Sequence, residues 1–424
     1  MVCIAAFIIL SIVSVFVGFL SIFNRELGKK YWVVFQKAWH CVFKKVRLQK
    51  CDTNFKDDVK HTLLKRIVLK HPNLLKPASA LIEILSIVIV FITVWSFIIA
   101  IKSLLALWVF GTCNISHPSQ CGLGSEVCSI DQVEPTDLFN KIGRGFSEWG
   151  EIFSAIPDRL KTWQARDYLT NASIPLIDLT KDHDESSSKN TKKLLQFYHS
   201  QIIPDSSKVA VDIIDPGCTV CRQSYLNQKQ SGFLDQYFTV ANLYPIPKSD
   251  SEYKFTNSKL VTDYLNSIVY LVQQKIQKYY QDPNFDFIKL SKQRQDELSL
   301  LLRLPTKMLD RLYTGSSDNR NYIDLFNYSY DHDTALKELD VWSKEFGLNV
   351  ADRHLLKSVI NNQEKNQTSD KRQTKENTYV KQIIENLNKN QQDIKKLVEE
   401  SLKAKGIPVE IFDGKKHNGL FKLK

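Results

Sequence analysis

The sequence predicts a mixed α/β protein in which a large, mostly helical insertion interrupts a strand-containing region, and two transmembrane helices precede both. Three observations predict this architecture: two long apolar segments near the N-terminus, a β-branched segment that leads into a Cys-x-x-Cys pair, and helical spacing of apolar residues from Tyr253 to about Ala404. The composition, with 43% hydrophobic residues, 15 Gly and 8 Cys, excludes a disordered chain, a collagen-like chain and a disulfide-dense miniprotein.

The first apolar segment, residues 1–24, is predicted to be a transmembrane helix. It carries no charged side chain, and Val2–Phe23 has the length of ~20 residues that a helix needs to cross a bilayer. A cleaved signal peptide is the alternative. Such a peptide normally begins with positive charge, which this segment lacks, so we favour the transmembrane helix.

The second apolar segment lies within residues 78–110 and is also predicted to be a transmembrane helix. Its central part, Ile84–Ile101, consists of 18 uncharged residues between Glu83 and Lys102. The alternative is a helix buried in the core of a soluble domain. The length of the apolar segment favours a membrane span.

Residues 25–77, between the two apolar segments, are predicted to form a basic cytoplasmic loop. Asn24–Lys76 holds 14 basic and 4 acidic residues, and therefore most of the formal net charge of +11. Short loops rich in Lys and Arg stay in the cytoplasm, so we expect a cell-membrane protein with two spans whose chain is extracytoplasmic from Gly111 onward. Basic segments also bind nucleic acid, but the flanking apolar segments favour lipid headgroups, and we expect no nucleic-acid partner.

Residues 111–200 are predicted to be an extracytoplasmic connector that contains Cys113, Cys121 and Cys128. These cysteines fall in a stretch with Gly, Ser and Pro, which predicts a loop. Three cysteines cannot all pair with one another, so one disulfide and a free or exchanging thiol is the simplest expectation. An incidental cysteine beside a structural disulfide is the alternative. A further hypothesis is that one of the three relays electrons to or from the Cys-x-x-Cys pair.

The Cys-x-x-Cys pair, Cys218 and Cys221, is the strongest chemical signal in the sequence. Lys208–Asp215 predicts a buried strand, and Cys218–Leu226 predicts a helix that follows a Pro-Gly turn. A helix N-terminus stabilises the thiolate of Cys218, and Cys221, one turn later, lies on the same face and can resolve a mixed disulfide. A zinc site would need a second pair of ligands, which the sequence does not offer, so we predict neither a metal nor a cofactor.

Two segments of the chain resemble the thioredoxin fold. VDIIDPGCTVC is similar to its active-site segment, in which an acidic residue precedes the nucleophilic cysteine by six positions, as Asp212 precedes Cys218. Gly406-Ile407-Pro408 and the following VEIFDGK are similar to its cis-proline strand and hairpin. The resemblance implies that Cys218 attacks, Cys221 resolves, Asp212 accepts a proton and Pro408 is the cis-proline. A structural carboxylate and an ordinary edge-strand proline are the alternatives for the last two.

The distance between the two segments resembles the DsbA-like branch of this fold, in which a helical domain is inserted. The thioredoxin-like domain would then consist of residues 201–252, with the Cys-x-x-Cys, and residues 401–424, with the Gly-Ile-Pro hairpin. Residues 253–400 would be the helical insertion. The Thr219-Val220 dipeptide lacks the Pro or His common in well-known members, so the sequence indicates no redox potential.

The resemblance and the expected location imply a membrane-anchored, extracytoplasmic thiol-disulfide oxidoreductase. Its partners would be protein substrates with thiols or disulfides, and a membrane redox partner. The alternative is a membrane-tethered assembly or scaffold component of a surface or secretion apparatus, in which the thioredoxin-like domain only binds. The long helical insertion favours the scaffold, whereas the presence of both cysteines favours the enzyme.

Overall fold

The structure, a computed structural model, divides the chain into two compact units, Met1–Lys102 and Ser103–Lys424. The first predicted transmembrane helix lies outside the residues that the structure describes, and so does most of the basic loop. The described residues are 32, 33, 36, 39, 40, 75–118, 127–130, 138–165, 175–180, 208–249, 252–280, 291–315, 320–365 and 375–422.

Helix α1 spans Leu75–Phe110 and contains the second predicted transmembrane segment. Among the described residues it is the one helix long and apolar enough to cross a membrane, with a mean hydropathy of 2.4 over Ile87–Phe110. In the first unit its large apolar side chains are exposed, for example Phe91 at 68% and Phe97 at 64%. A helix in the core of a soluble domain would bury these side chains, so the exposures favour the membrane span for this part of α1.

Helix α2 spans Leu138–Leu160 in the second unit. Its Ile152 and Ala155 belong to a small buried cluster with the end of α1, including Ala106 and Phe110. A different stripe of the same helix leaves three large apolar side chains exposed, those of Phe146, Phe153 and Leu160. Helix α2 is therefore apolar on more than one side.

A five-stranded mixed sheet lies at the centre of the second unit, in the order β2-β4-β3-β6-β7, and a separate two-stranded ladder joins β1 to β5. Strand β3 pairs in parallel with β4 on one side and antiparallel with β6 on the other. The strands are β1 (Cys128–Ser129), β2 (Ile177–Asp178), β3 (Lys208–Ile214), β4 (Tyr237–Leu243), β5 (Gly406–Ile407), β6 (Val409–Phe412) and β7 (Lys415–Asn418).

The sequence explains the central strand and the final hairpin. Strand β3 is apolar on both faces, and its residues from Val209 onward are buried, as expected for a strand with neighbours on both sides. Between β6 and β7, Asp413 and Gly414 have φ angles of 48° and 72°, the positive values that a tight hairpin turn requires. The hairpin that the resemblance implies after Pro408 is therefore present, as β6 and β7.

Helices fill most of the chain between β3 and β5. A π-helical turn follows α7 at Leu325–Ser329, and another follows α10 at Leu397–Ser401. The helices are α3 (Thr219–Gln230), α4 (Phe233–Gln236), α5 (Ser258–Tyr280), α6 (Lys292–Thr314), α7 (Tyr322–Asp324), α8 (His332–Glu345), α9 (Val350–Lys365) and α10 (Lys375–Lys396).

The sheet and the helical region share one hydrophobic core. The same buried cluster contains Val211 and Ile213 from β3 together with Tyr264 from α5, Leu309 from α6 and Trp342 from α8. The amphipathic helices therefore bury much of their apolar surface on the sheet, while α5, α9 and α10 also form a smaller separate cluster around Val359 and Ile383. The prediction of a mixed α/β protein with a large helical region is confirmed.

Candidate functional site

Cys218 is the N-cap residue of α3, directly after the turn that follows β3. Its backbone is extended, with φ −83° and ψ 121°, and its Sγ accepts a hydrogen bond from the backbone N–H of Cys221 at 3.3 Å. The first N–H groups of a helix lack partners within the helix, so they stabilise negative charge on a sulfur at this position. Of the cysteines in α3 and its cap, Cys218 is thus the one favoured as a thiolate.

A disulfide joins Cys218 to Cys128, which precedes it by 90 residues, with the two Cα atoms 6.2 Å apart. Both residues are buried, with exposed fractions of 0% for Cys218 and 7% for Cys128. Cys128 is therefore paired outside its own segment, and an exchanging thiol among the three cysteines stays a prediction. Cys128 lies in β1, and its partner comes from the Cys-x-x-Cys pair.

The other two cysteines of the predicted connector are not part of this centre as described. Cys113 is also disulfide-bonded. Cys121 lies outside the described residues. The structure thus brings Cys128 to the Cys-x-x-Cys pair, and a relay through Cys113 or Cys121 stays a prediction.

Cys221 lies in the first turn of α3 and is a fully buried free thiol. Its Sγ accepts a hydrogen bond from the backbone N–H of Asp215 at 3.4 Å. Burial raises the pKa of the Cys221 thiol well above its ordinary value; the Asp215 N–H lowers it, and the charges of Asp215, Glu410 and Asp212 raise it again. Cys221 is therefore held as a protonated thiol next to Cys218.

Two buried carboxyl groups face each other across β3 and β6, because Asp212 is paired with Glu410 in the register of the two strands. The side-chain amide of Gln228 on α3 donates to both, to Asp212 Oδ2 at 2.9 Å and to Glu410 Oε1 at 3.0 Å. Ser224, also on α3, donates to the same oxygen of Glu410. Helix α3 therefore presents polar groups to the two carboxyls on the side that carries Cys221.

Burial controls the protonation of this pair. It raises the pKa of Asp212 to about 7, and the hydrogen bond from Gln228 only partly opposes it. For Glu410, burial and then the charge of Asp212 raise the pKa well above its ordinary value. Two like charges so close together in a buried site are costly, so the pair holds at least one proton near neutral pH.

Asp215 holds the turn between β3 and Cys218 in place. Its carboxylate accepts hydrogen bonds from the backbone N–H groups of Gly217, at 2.8 Å, and Ile246, at 2.7 Å, and from the hydroxyl of Ser258. Burial nevertheless raises the pKa of Asp215 to about 6, because it outweighs these bonds. The side chain therefore connects the turn to the segment after β4 and to the start of α5.

The Gly-Ile-Pro segment lies against the same cysteine. The peptide bond between Ile407 and Pro408 is cis, which is the isomer that the resemblance implies. The carbonyl oxygen of Ile407 is 4.0 Å from Cys218 Sγ, although 189 positions separate the two residues in the chain. The structure therefore brings Pro408 into the neighbourhood of the pair, as expected from the sequence.

The helical region supports the turn from the other side. A Cβ atom built on Gly217 would lie 2.5 Å from Phe255 Cβ, so the backbone approaches this side chain too closely for any other residue. Asn327, in the π-helical turn after α7, donates to the carbonyl of Gly217 at 2.8 Å. From α6, the Tyr313 hydroxyl donates to the carbonyl of Asp215 at 3.2 Å. The helical region thus forms part of the wall of the site.

Sequence reasoning missed Glu410, Gln228 and the pairing of Cys128 with Cys218. The signal for Glu410 was an acidic residue between apolar ones in VEIF, two positions after Pro408. Gln228 had no comparable signal, because a glutamine in a helix is ordinary. In the described part of the chain, no group of three or more His, Cys, Asp or Glu side chains is arranged to hold a metal ion.

The arrangement is suited to thiol-disulfide exchange at Cys218 Sγ. A sulfur stabilised by a helix N-terminus is disulfide-bonded, a second thiol lies one helical turn away, and buried carboxyls near that thiol titrate close to neutral pH. Comparison with known proteins gives no match, either to a family model, to a curated protein or to a solved structure.

Proposed function

We propose that this protein is a thiol-disulfide oxidoreductase that exchanges disulfides with protein substrates through Cys218 and Cys221. The observation that carries the proposal is the position of Cys218 Sγ, which accepts the N–H of Cys221 at the start of α3 and lies beside the loop that contains the cis peptide bond. A helix N-terminus favours the attacking thiolate, and an adjacent second thiol can resolve the mixed disulfide.

The exchange proceeds in two steps. The thiolate of Cys218 attacks a substrate disulfide, which forms a mixed disulfide and releases one substrate thiolate. Cys221 then loses its proton and attacks Cys218 Sγ, which releases the second substrate thiolate and leaves a Cys218–Cys221 disulfide. The substrate gains two electrons and the dithiol loses two; the reverse sequence oxidises a substrate dithiol. A membrane redox partner would restore the starting state.

The buried carboxyls supply the proton acceptor for the second step. Asp212, whose pKa burial raises to about 7, is near half ionisation at neutral pH and is close enough for its charge to affect Cys221. A group with a pKa near the working pH is the most efficient general base. Glu410 shares the hydrogen-bond donor Gln228 with Asp212 and so belongs to the same proton-holding pair.

We also propose that the sheet, α3 and the hairpin form a thioredoxin-like domain of the DsbA-like type, anchored in the cell membrane with the site outside the cytoplasm. The support is the order of the parts: β3, the Cys-x-x-Cys helix, the parallel strand β4, a helical insertion and then a cis-proline hairpin that pairs with β3. The membrane anchor rests on the apolar segment Ile87–Phe110 and on the basic loop before it.

The test is capture of substrates by a variant that cannot complete the second step. Because Cys128 competes for Cys218, the trap must lack both Cys128 and Cys221, so we propose C128S/C221S in the full-length protein in its native membrane. We expect disulfide-linked adducts on Cys218 in non-reducing gels. The matched control is C128S/C218S, which keeps Cys221 and should form none. Absence of adducts from the trap, together with no insulin reduction by C128S, would overturn the proposal.

The second candidate function is a membrane-tethered scaffold in which the disulfide only stabilises the fold. One observation favours it: Cys218 and Cys221 are both 0% exposed, and Cys218 is already bonded within the chain. The same experiment separates the two candidates. A scaffold predicts no adducts from C128S/C221S and a Cys128–Cys218 disulfide that persists when the protein is exposed to cellular thiol reductants.

A further inference from the structure

The segment Val127–Ile130 lies in the site as a short strand. Cys128 and Ser129 pair antiparallel with Ile407 and Gly406, and the N–H of Ile130 donates to the carbonyl of Lys405 at 3.1 Å. The strand therefore runs directly beside the residue that precedes Pro408. Its cysteine is covalently bonded to Cys218.

Two further contacts hold the strand where it lies. The ammonium of Lys254 donates to the carbonyl of Ser129 at 2.8 Å and to its hydroxyl at 2.7 Å. A Cβ atom on Gly406 would lie 2.9 Å from Val127 Cβ, so the absence of a side chain at Gly406 lets the strand come this close. These contacts involve the backbone and hydroxyl of Ser129 and the side chain of Val127, so they depend on the residues of this segment.

The strand closes the site. With Cys128 bonded to it, Cys218 has an exposed fraction of 0%, so no external protein can reach its sulfur in this state. The ladder between β1 and β5 has only two residue pairs, so few backbone hydrogen bonds hold the strand once the disulfide is exchanged. The Cys128–Cys218 disulfide is therefore the main interaction that keeps the strand in the site.

We propose that Val127–Ile130 is an internal substrate strand, and that exchange of the Cys128–Cys218 disulfide for a Cys218–Cys221 disulfide switches the site from closed to open. This inference rests on the proposed function, because it assigns a closed state to the same site. It differs from a structural disulfide in one respect: the bond is exchanged inside the protein.

The step balances without any external oxidant or reductant. Cys221 gives its proton to the Asp212 and Glu410 pair, and its thiolate attacks Cys218 Sγ. The bond between Cys218 and Cys128 breaks, and Cys128 leaves as a thiolate that takes up a proton. One disulfide and one thiol are present before and after the step, and only the position of the disulfide changes.

The test determines which disulfides Cys218 forms, and how fast the protein reduces insulin, with full-length protein in native membranes. Acid quenching, alkylation of free thiols and mass spectrometry of a non-reduced digest identify the disulfides. We expect the wild type to contain both the Cys128–Cys218 and Cys218–Cys221 linkages, and C221S to contain the first alone. We also expect C128S to reduce insulin at least about fivefold faster than the wild type, because no strand is bonded to Cys218.

A second variant loosens the strand without removing a thiol. K254M removes the two hydrogen bonds to Ser129, and we expect it to raise the share of the Cys218–Cys221 linkage and the rate of insulin reduction. The matched control is K248M, because Lys248 forms an exposed ion pair with Glu252 and is not bonded to the strand. It should behave as the wild type.

The outcomes separate this inference from the proposed function. The inference is overturned if the Cys128–Cys218 linkage is absent from the wild type and from C221S, or if it is present but never converts to Cys218–Cys221 and C128S is no faster. Adducts on C128S/C221S with no internal linkage would support the function alone. Internal exchange, with no adducts on the trap and no insulin reduction by C128S, would support the exchange inside the protein and overturn the function.

Discussion

At the scale of single residues, the protonation of the site is set by burial rather than by ion pairing. Asp212 and Glu410 are exposed by only 2% and 1%, and their shared hydrogen-bond donor is the neutral side chain of Gln228. A neutral donor stabilises a carboxylate less than a nearby cation would. Both pKa values therefore stay raised, and that of Asp212, at about 7, suits a group that takes up and releases a proton near neutral pH.

The first prediction concerns the rate of the second exchange step. D212N removes a proton acceptor for Cys221, so we expect the release of glutathione from a mixed disulfide at Cys218 to slow on the order of 10²-fold. The measurement uses C128S protein loaded with glutathione, at pH 7. The control is D340N, which removes a carboxylate paired with Arg353 and Lys357 in the helical region. Unchanged release from D212N would contradict the assigned role.

The second prediction concerns how the free energy of unfolding depends on pH. Asp212 has an ordinary pKa of 3.8 and a pKa of about 7 in the folded protein. Below about pH 4 it is therefore protonated in both the folded and the unfolded protein, and its titration does not lower the free energy of unfolding. Between these values the folded protein keeps a proton that the unfolded chain releases. The free energy of unfolding therefore falls as pH rises, by about 1.4 kcal/mol per unit for this group, and the fall is complete above pH 7.

Urea unfolding of the full-length protein in detergent at pH 5 and pH 7 measures this loss. We expect the difference between the two pH values to be smaller in D212N than in the wild type by about 2 kcal/mol, because the amide does not titrate. Equal differences in the two proteins would show that Asp212 does not hold its proton on folding.

The cysteines and Asp212 could be predicted at this scale, because they share one local segment with a recognisable strand, turn and helix. Glu410 could not be, since its position opposite Asp212 comes from the register of β3 and β6. The two strands are separated by most of the helical region. No local pattern encodes which residues face each other across such a gap.

At the scale of secondary-structure elements, the turn between β3 and α3 is where the helical region and the sheet meet most closely. Gly217 has Phe255 on one side and receives a hydrogen bond from Asn327 through its carbonyl. These neighbours come from two different parts of the helical region. The position of Cys218 at the helix N-terminus therefore depends on packing by elements that follow it in the chain.

The third prediction follows from this close approach. In G217A the new methyl group would lie 2.5 Å from Phe255 Cβ and 2.9 Å from Asn327 Oδ1, so we expect a loss of about 1–3 kcal/mol in the free energy of unfolding. Urea unfolding of the full-length protein measures it. The control is G150A, because apart from its chain neighbours and the backbone of α2 itself nothing lies within 4 Å of a Cβ at that position. A G217A protein as stable as the wild type would contradict the close fit.

Most elements could be predicted because their signals are local. The buried strand before Cys218, the helix after it and the Asp-Gly hairpin each follow from side chains within a few positions. The strands β1 and β2 could not be predicted, because each has only two residues and pairs with a strand that is distant in the chain. Such a strand is specified by its partner, not by its own sequence.

At the scale of the whole molecule, the distribution of charge and apolar residues predicts the orientation in a membrane. The basic loop precedes α1, and the site lies in the unit that follows it. Disulfides persist outside the cytoplasm, where the chain after Gly111 is expected to lie. The disulfide at Cys218 is consistent with that compartment.

The fourth prediction tests this orientation. Ser249 is exposed in the second unit, whereas Cys41 and Cys51 belong to the basic loop. In sealed right-side-out vesicles we expect a membrane-impermeant maleimide to label S249C at once, and Cys41 and Cys51 only after detergent is added. The native cysteines serve as the internal control. Labelling of Cys41 and Cys51 without detergent, and protection of S249C, would reverse the orientation.

The sequence by itself determined the apolar segments, the basic loop, the Cys-x-x-Cys at a helix start, Asp212 and the proline hairpin, because each depends on residue types at short spacing. Only the tertiary structure decided that Cys128 bonds to Cys218, that Glu410 faces Asp212 and that the helical region shares the core of the sheet. These are contacts between distant parts of the chain. They depend on how the elements pack, and packing optimises the whole core rather than any one segment.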